Sequence, residues 1–168
     1  IENYAALKTL LSEKGHTFKS DTDSEVFINL IEDIRSTTNS TLVEAVRLAL
    51  HEVVGAYAIV VLSKDDPNQL IAARKGSPLV IGVGENEFFL ASDATPIIEY
   101  TSDVVYVNDY EVAIIKPGEL ILKNLGNEKV TPYITKLDME LAAIEKGGYD
   151  HFMLKEIFEQ PTTIRDSL

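Results

Sequence analysis

The chain has 168 residues, 45% of them hydrophobic, with 27 acidic against 15 basic side chains and a formal net charge of −12. That length can bury one good core, and the acidity excludes the clustered Lys and Arg that a nucleic-acid partner would require. With no cysteine there is no disulfide framework, thiolate metal site or cysteine nucleophile, and no apolar run approaches the roughly 18–20 residues of a membrane span.

Helical periodicity begins almost at once. Tyr4, Leu7, Leu10 and Leu11 fall on one face, and Gly15 is placed to end that helix. Residues 16–19 read as a short extended or turn segment. In Ser20-Asp21-Thr22-Asp23-Ser24-Glu25, Thr22 and Glu25 form a capping box ahead of a stripe of Val26, Phe27, Leu30, Ile31 and Ile34. Thr41 and Glu44 repeat the signature for a third helix with Val43, Val46, Leu50 and Val54 inward, closed by Gly55.

Strands then follow in close succession at 56–62, 69–73, 79–83 and 87–92, bounded by Gly, Pro, Asn and Asp and spaced for hairpins. Several are apolar on both faces, so each side of the sheet must be covered. A short helix is predicted over 95–100, starting at Pro96. Further strands are predicted at 104–107, 111–115 and 120–123, with turns at Asn108-Asp109 and Lys116-Pro117-Gly118. Residues 129–137 read as an edge strand containing Pro132, and 138–143 as a helical turn. Gly147-Gly148 breaks the chain before a helix over 151–159 that Pro161 stops. Helices, then strands, then helix indicates an α+β layered fold.

Local chemical signals are sparse. His51-Glu52 begins a zinc-helix motif, but residue 55 is Gly where the second His would fall. Gly82-Val83-Gly84 lacks the third glycine of a dinucleotide fingerprint and sits in a hairpin turn rather than before a helix. His16, His51 and His151 have no ligand spacing, so no metal is expected. Asn39-Ser40-Thr41 matches a glycosylation acceptor, which without a secretory signal carries no weight. Asp21, Asp23 and Glu25 suit a helix start through the dipole. The functional reading is that Asp23 stays ionised and holds a cationic group such as a substrate ammonium. Arg74-Lys75-Gly76-Ser77-Pro78 is a second candidate, either holding an anion or fixing a loop.

Ile1-Glu2-Asn3, Ser20 to Glu25, Gly55-Ala56-Tyr57-Ala58, the run from Ala72 to Gly82 and Ala91-Ser92-Asp93 occur in an order that resembles the class II glutamine amidotransferases. Within them the chain is most similar to the glutaminase half of the glutamine–fructose-6-phosphate aminotransferases. The run from Tyr149 to Pro161 resembles the segment joining that half to a sugar-isomerase half, and its part from Lys155 to Pro161 is what points to the aminosugar enzymes. The resemblance implies an N-terminal-nucleophile hydrolase-like fold, a four-layer αββα sandwich with antiparallel sheets, here incomplete at its N-terminal side. It divides the chain into a partial amidotransferase domain over 1–148 and a linker over 149–168. It also implies glutamine hydrolysis by an N-terminal Cys whose α-amino group acts as base, with an Asn-Gly oxyanion hole, and ammonia transfer to fructose 6-phosphate. No cofactor is implied.

Asp23 matches the family's aspartate for the α-amino group of glutamine. The nucleophile has no counterpart in this sequence, and the oxyanion-hole pair would fall ahead of Ile1. The chain alone is therefore expected to be inactive, to reside in the cytoplasm, and to self-associate through exposed sheet edges. The alternatives are a fragment of another class II amidotransferase, such as the purine-pathway amidophosphoribosyltransferase, and a non-catalytic glutamine- or protein-binding domain.

Overall fold

The computed structural model describes residues 1–137 and 148–166. Three helices come first: α1 (Tyr4–Glu13), α2 (Asp23–Thr38) and α3 (Leu42–Glu52). Nine strands follow: β1 (Tyr57–Ser63), β2 (Asp66–Lys75), β3 (Val80–Val83), β4 (Phe88–Ala91), β5 (Asp103–Tyr106), β6 (Glu111–Lys116), β7 (Glu119–Asn124), β8 (Lys129–Val130) and β9 (Ile134–Lys136). Helix α4 (Phe152–Asp166) ends the described chain. The predicted helical turn over 138–143 lies outside the described residues.

The helix boundaries follow from local chemistry. Helix α1 ends in a Schellman motif: Gly15 adopts φ +95°, its N–H donates to Ser12 O at 3.0 Å, and the His16 N–H donates to Leu11 O at 3.0 Å. Thr22 and Thr41 cap α2 and α3 by accepting the Glu25 and Glu44 N–H groups at 3.4 and 3.3 Å. Asn39 turns α2 off in a left-handed conformation.

The strands form two antiparallel sheets, ordered β1-β2-β6-β7-β8 and β4-β3-β5-β9. Alternation along the strands separates the cores. Ile71, Ala73 and Val112 face the helices and join Leu11, Val26, Phe27, Val46 and Leu50. Their neighbours Ala72, Ala113 and Ile115 point the other way, against Ile81, Val105 and Val107 of the second sheet. On that sheet's far face Val80 and Val104 pack with Ala94 and Ile97. Ala45 and Ala49 are fully buried, and their small side chains let α3 lie close to the first sheet.

Five expectations need correction. Residues 95–100 form successive turns, with Ile97 N–H bonded to Ala94 O and Tyr100 N–H to Ile97 O. The predicted strand over 129–137 is two strands, because Pro132 cannot continue a ladder; β8 joins the first sheet and β9 the second. Pro161 lies inside α4 instead of stopping it. Val54 is exposed, since the backbone has left the helix at Val53. Gly82 lies within β3 and only Gly84 enters the hairpin turn, where its N–H donates to Glu87 O.

Candidate functional site

The three acidic residues at the start of α2 have separate roles. Glu25 folds back and accepts the Lys19 and Ser20 N–H groups at 2.7 Å each, with the Ser20 hydroxyl at 2.6 Å. The Ser20 hydroxyl, then the Lys19 N–H, hold its carboxyl below the ordinary value. Glu25 therefore braces Lys19 and Ser20, upstream of the cap, instead of closing the box on the Thr22 N–H. Asp21 is fully exposed, its carboxylate 3.6 Å from Lys8 Nζ.

Asp23 faces inward. Its Oδ2 lies 2.5 Å from the α-ammonium nitrogen of Ile1. That hydrogen bond is the largest cause holding the Asp23 carboxyl below its ordinary value, opposed by desolvation and aided by the Ser24 N–H. Asp23 and Ile1 line a cleft of about 360 Å³ together with Ser24, Phe27, Ala56 and Tyr57. The volume falls in the range of small-ligand sites. The cleft runs along the outer edge of β1, so α2 forms one wall and the strand the other.

The segment from Ile1 to Asn3 is fixed by contacts that sequence reasoning missed. The Glu2 N–H donates to Val54 O at 2.8 Å. The Asn3 side chain donates to Glu52 O at 2.8 Å and accepts the Val54 N–H at 2.9 Å. Gly55, at φ +107°, leaves room for this segment, since a Cβ there would meet Glu2 Cγ at 3.0 Å. From the other side, Lys14 Nζ lies 2.5 Å from Asp33 Oδ2 and His16 Nε2 3.3 Å from Asp33 Oδ1, tying the end of α1 to α2. The only local signal for this clasp is the polar side chain of Asn3 at a helix start.

The second candidate fixes a loop. Arg74 Nε and Nη2 donate to Asp109 Oδ1 at 3.0 and 2.7 Å, and the Gly76 N–H donates to the same oxygen at 2.9 Å. Lys75 Nζ lies over the Tyr110 ring, 5.3 Å from its centre. The guanidinium is thus engaged by a carboxylate. Asp93 accepts the Thr95 N–H at 2.7 Å and shapes the turn that follows β4. The histidines are not brought together: His16 meets Asn29 and Asp33, while His51 Nε2 lies 3.3 Å from Leu125 O. Among the described residues no group of His, Asp and Glu could hold a metal ion, and no helix is long and apolar enough to cross a membrane.

Residues 1–99, which contain the clasp, Asp23 and β1, match the profile described as glutamine amidotransferase domain. The chain belongs to this family. Relatives of this amidotransferase domain include the glutamine–fructose-6-phosphate aminotransferase (isomerizing) of Bacteroides thetaiotaomicron, 57% identical over 100% of this chain and 28% of the relative. The enzyme of the same name from Chlorobaculum tepidum is 52% identical over 99% of this chain and 27% of its own length. The chain thus spans little more than a quarter of the length of these relatives. Among solved structures, the glutamine phosphoribosylpyrophosphate amidotransferase of B. subtilis, complexed with ADP and GMP, superposes with a TM-score of 0.63. It is 24% identical over 73% of this chain and 27% of that one. The likeness places the amidotransferase domain in the N-terminal-nucleophile fold, as an α+β structure with antiparallel sheets.

Proposed function

We propose that this chain is the greater part of the glutaminase domain of a cytoplasmic aminosugar synthase. In the whole protein, glutamine is hydrolysed and the ammonia passes to fructose 6-phosphate to give glucosamine 6-phosphate. Residues 1–148 form the amidotransferase part, and 149–168 lead toward a sugar-isomerase half. The names of the relatives above support the reaction. Identity of 57% to an aminosugar enzyme, against 24% to the phosphoribosyl enzyme, favours this reading over the purine-pathway one.

The role of Asp23 rests on its match to the family's aspartate for the α-amino group of glutamine and on its place at the capped start of α2, in the wall of the cleft beside β1. From there its carboxylate accepts a hydrogen bond from that α-ammonium. A charge-assisted hydrogen bond of this kind contributes about 1.5–3 kcal/mol. Asp23 is 41% exposed, which puts it at the low end through solvent screening. Alone it gives binding weaker than about 1 mM. With no cysteine in the sequence, the chain by itself lacks the group that attacks the amide.

The test is glutamate release from L-glutamine by the pure 168-residue chain. No turnover above the buffer rate is expected. Glutamine hydrolysis that persists through purification and resists thiol-blocking reagents would overturn the assignment of chemistry to a missing cysteine.

A further inference from the structure

Two of the connections that carry the chain between the sheets run side by side: 76–79 leads from β2 to β3, and 107–110 from β5 to β6. One carboxylate oxygen clips them together. Asp109 Oδ1 accepts from Arg74 Nε at 3.0 Å, Arg74 Nη2 at 2.7 Å and the Gly76 N–H at 2.9 Å. The Tyr110 N–H donates to Arg74 O at 3.1 Å, and farther along the Val107 N–H donates to Leu79 O at 3.2 Å. The Asp109 turn is fixed in its own right, since buried Glu111 accepts the Asn108 N–H at 2.8 Å and the Asn108 side-chain amide at 3.0 Å. Charge-assisted bonds from a planar guanidinium give such a clip its geometry. Its side chains are 24% and 43% exposed, and a partly exposed ion pair stabilises a fold little.

What the clip holds is the start of the cleft wall that faces α2. Gly76 has φ +71°, and a Cβ there would meet Ala56 Cβ at 3.1 Å, so this turn lies directly on Ala56. Tyr57 pairs with Lys75 in the β1–β2 ladder and makes a further bridge to Gly76. Tyr57 is buried, with Tyr110 and Asp109 among its neighbours. Ala56 and Tyr57 line the cleft together with Asp23 and Phe27 of α2. Asp109 thus reaches the cleft in two steps, through Gly76 and then Ala56, although neither Arg74 nor Asp109 lines it.

We propose that Arg74 and Asp109 are positioning residues for the glutamine cleft, acting through Gly76 to set where Ala56 and Tyr57 stand relative to Asp23. The proposal rests on the glutaminase reading above. A substrate held by its amine reacts only if the rest of it is seated in register, so a displaced wall weakens productive binding. The acceptor oxygen matters here more than its charge. In Asp109→Asn an oxygen still faces the Gly76 N–H and the guanidinium, and the wall keeps its place. Asp109→Ala removes the acceptor from both donors, and Arg74→Ala removes the guanidinium that fixes it. Gly76→Ala leaves the carboxylate alone and pushes on Ala56 directly, in a left-handed conformation that suits glycine.

The test is glutaminase kinetics in the protein encoded by the full reading frame around this segment, with thermal unfolding to select variants folded at the assay temperature. Asp109→Ala, Arg74→Ala and Gly76→Ala should each raise the KM for glutamine at least about threefold, with a smaller change in kcat. Asp109→Asn should stay within about twofold of wild type. Glu44→Ala, which breaks the comparable ion pair with Arg47 on α3, should leave the KM unaltered. If Asp23→Asn raises the KM while the three alanine variants leave it unchanged, the proposal is overturned and the glutamine reading stands. If Asp23→Asn itself leaves the KM unchanged, that reading fails and takes the proposal with it. A rise in Asp109→Asn as large as in Asp109→Ala would assign the effect to the lost charge and overturn the positioning role.

Discussion

The Ile1 nitrogen and the Asp23 carboxylate, 22 residues apart in sequence, meet at 2.5 Å. The meeting is arranged from both sides, by the clasp of Glu2 and Asn3 on the end of α3 and by the capped start of α2. The Asp23 carboxyl is lowered below its ordinary value by this contact. Its contribution to stability is present above the unfolded carboxylate value, about 3.9, and is lost as pH falls through the lower folded value. Acetylating the Ile1 amine should raise the Asp23 carboxyl toward its ordinary value, read by NMR titration of its side-chain carbon. An unchanged titration would place the cause of the shift elsewhere.

Tyr57 is buried, and its hydroxyl is pushed up to about 12, first by desolvation and then by the neighbouring Tyr110 and Asp109. The unfolded chain releases this proton near pH 10, so it binds fewer protons than the folded chain above that value. Stability from Tyr57 is therefore complete below about pH 10 and declines as pH rises toward 12. Thermal unfolding followed across alkaline pH should show this decline, and Tyr57→Phe should reduce its steepness. A variant with the wild-type pH profile would contradict the assignment.

Gly82 is buried in β3, and a Cβ there would collide with the Ile97 side chain and approach Thr101 Cγ2 at 3.1 Å and Phe89 Cβ at 3.3 Å. The cost is set by overpacking. Gly82→Ala should destabilise by about 1–3 kcal/mol in urea unfolding, with the turns over 94–101 displaced. Stability equal to wild type would show that the far face of the second sheet is loosely packed.

Thr22 precedes Asp23 and caps α2. Thr22→Ala should cost about 1 kcal/mol in stability, as for other N-caps, because the Glu25 N–H loses its acceptor. Thr41→Ala should cost a similar amount at α3, away from the cleft. Only the first should alter the Asp23 titration. Equal effects of both variants on that titration would break the link between cap and site.

Features set by neighbours in the chain were legible in the sequence. The caps at Thr22 and Thr41, the Gly15 terminator and the apolar strand runs bounded by Gly, Pro, Asn and Asp each depend on residues within a turn or a ladder step. Asp23 was picked out by its place at a helix start and by the resemblance. What sequence pattern left hidden depends on distant partners. The run from Arg74 leaves two readings open, an anion site or a loop brace, until Asp109, 35 residues on, supplies the acceptor and decides for the brace. Asn3 reads as a helix-start residue until Glu52 and Val54 fold against it. The split at Pro132 sends β8 and β9 to different sheets, a choice made by packing rather than by composition. The turns over 94–101 have helical periodicity in Ala94, Ile97 and Ile98, yet three hydrogen bonds from turn geometry satisfy that backbone instead.

The central claim is that Asp23 holds the α-ammonium of glutamine, and it is tested most directly in the protein encoded by the full reading frame around this segment. Glutaminase kinetics of wild type and Asp23→Asn should be compared at saturating fructose 6-phosphate. Loss of one charge-assisted hydrogen bond at the low end of about 1.5–3 kcal/mol predicts a rise in KM for glutamine of about tenfold, with a smaller change in kcat. An unchanged KM, with or without a fall in kcat, would contradict the account and leave Asp23 as a helix-start residue.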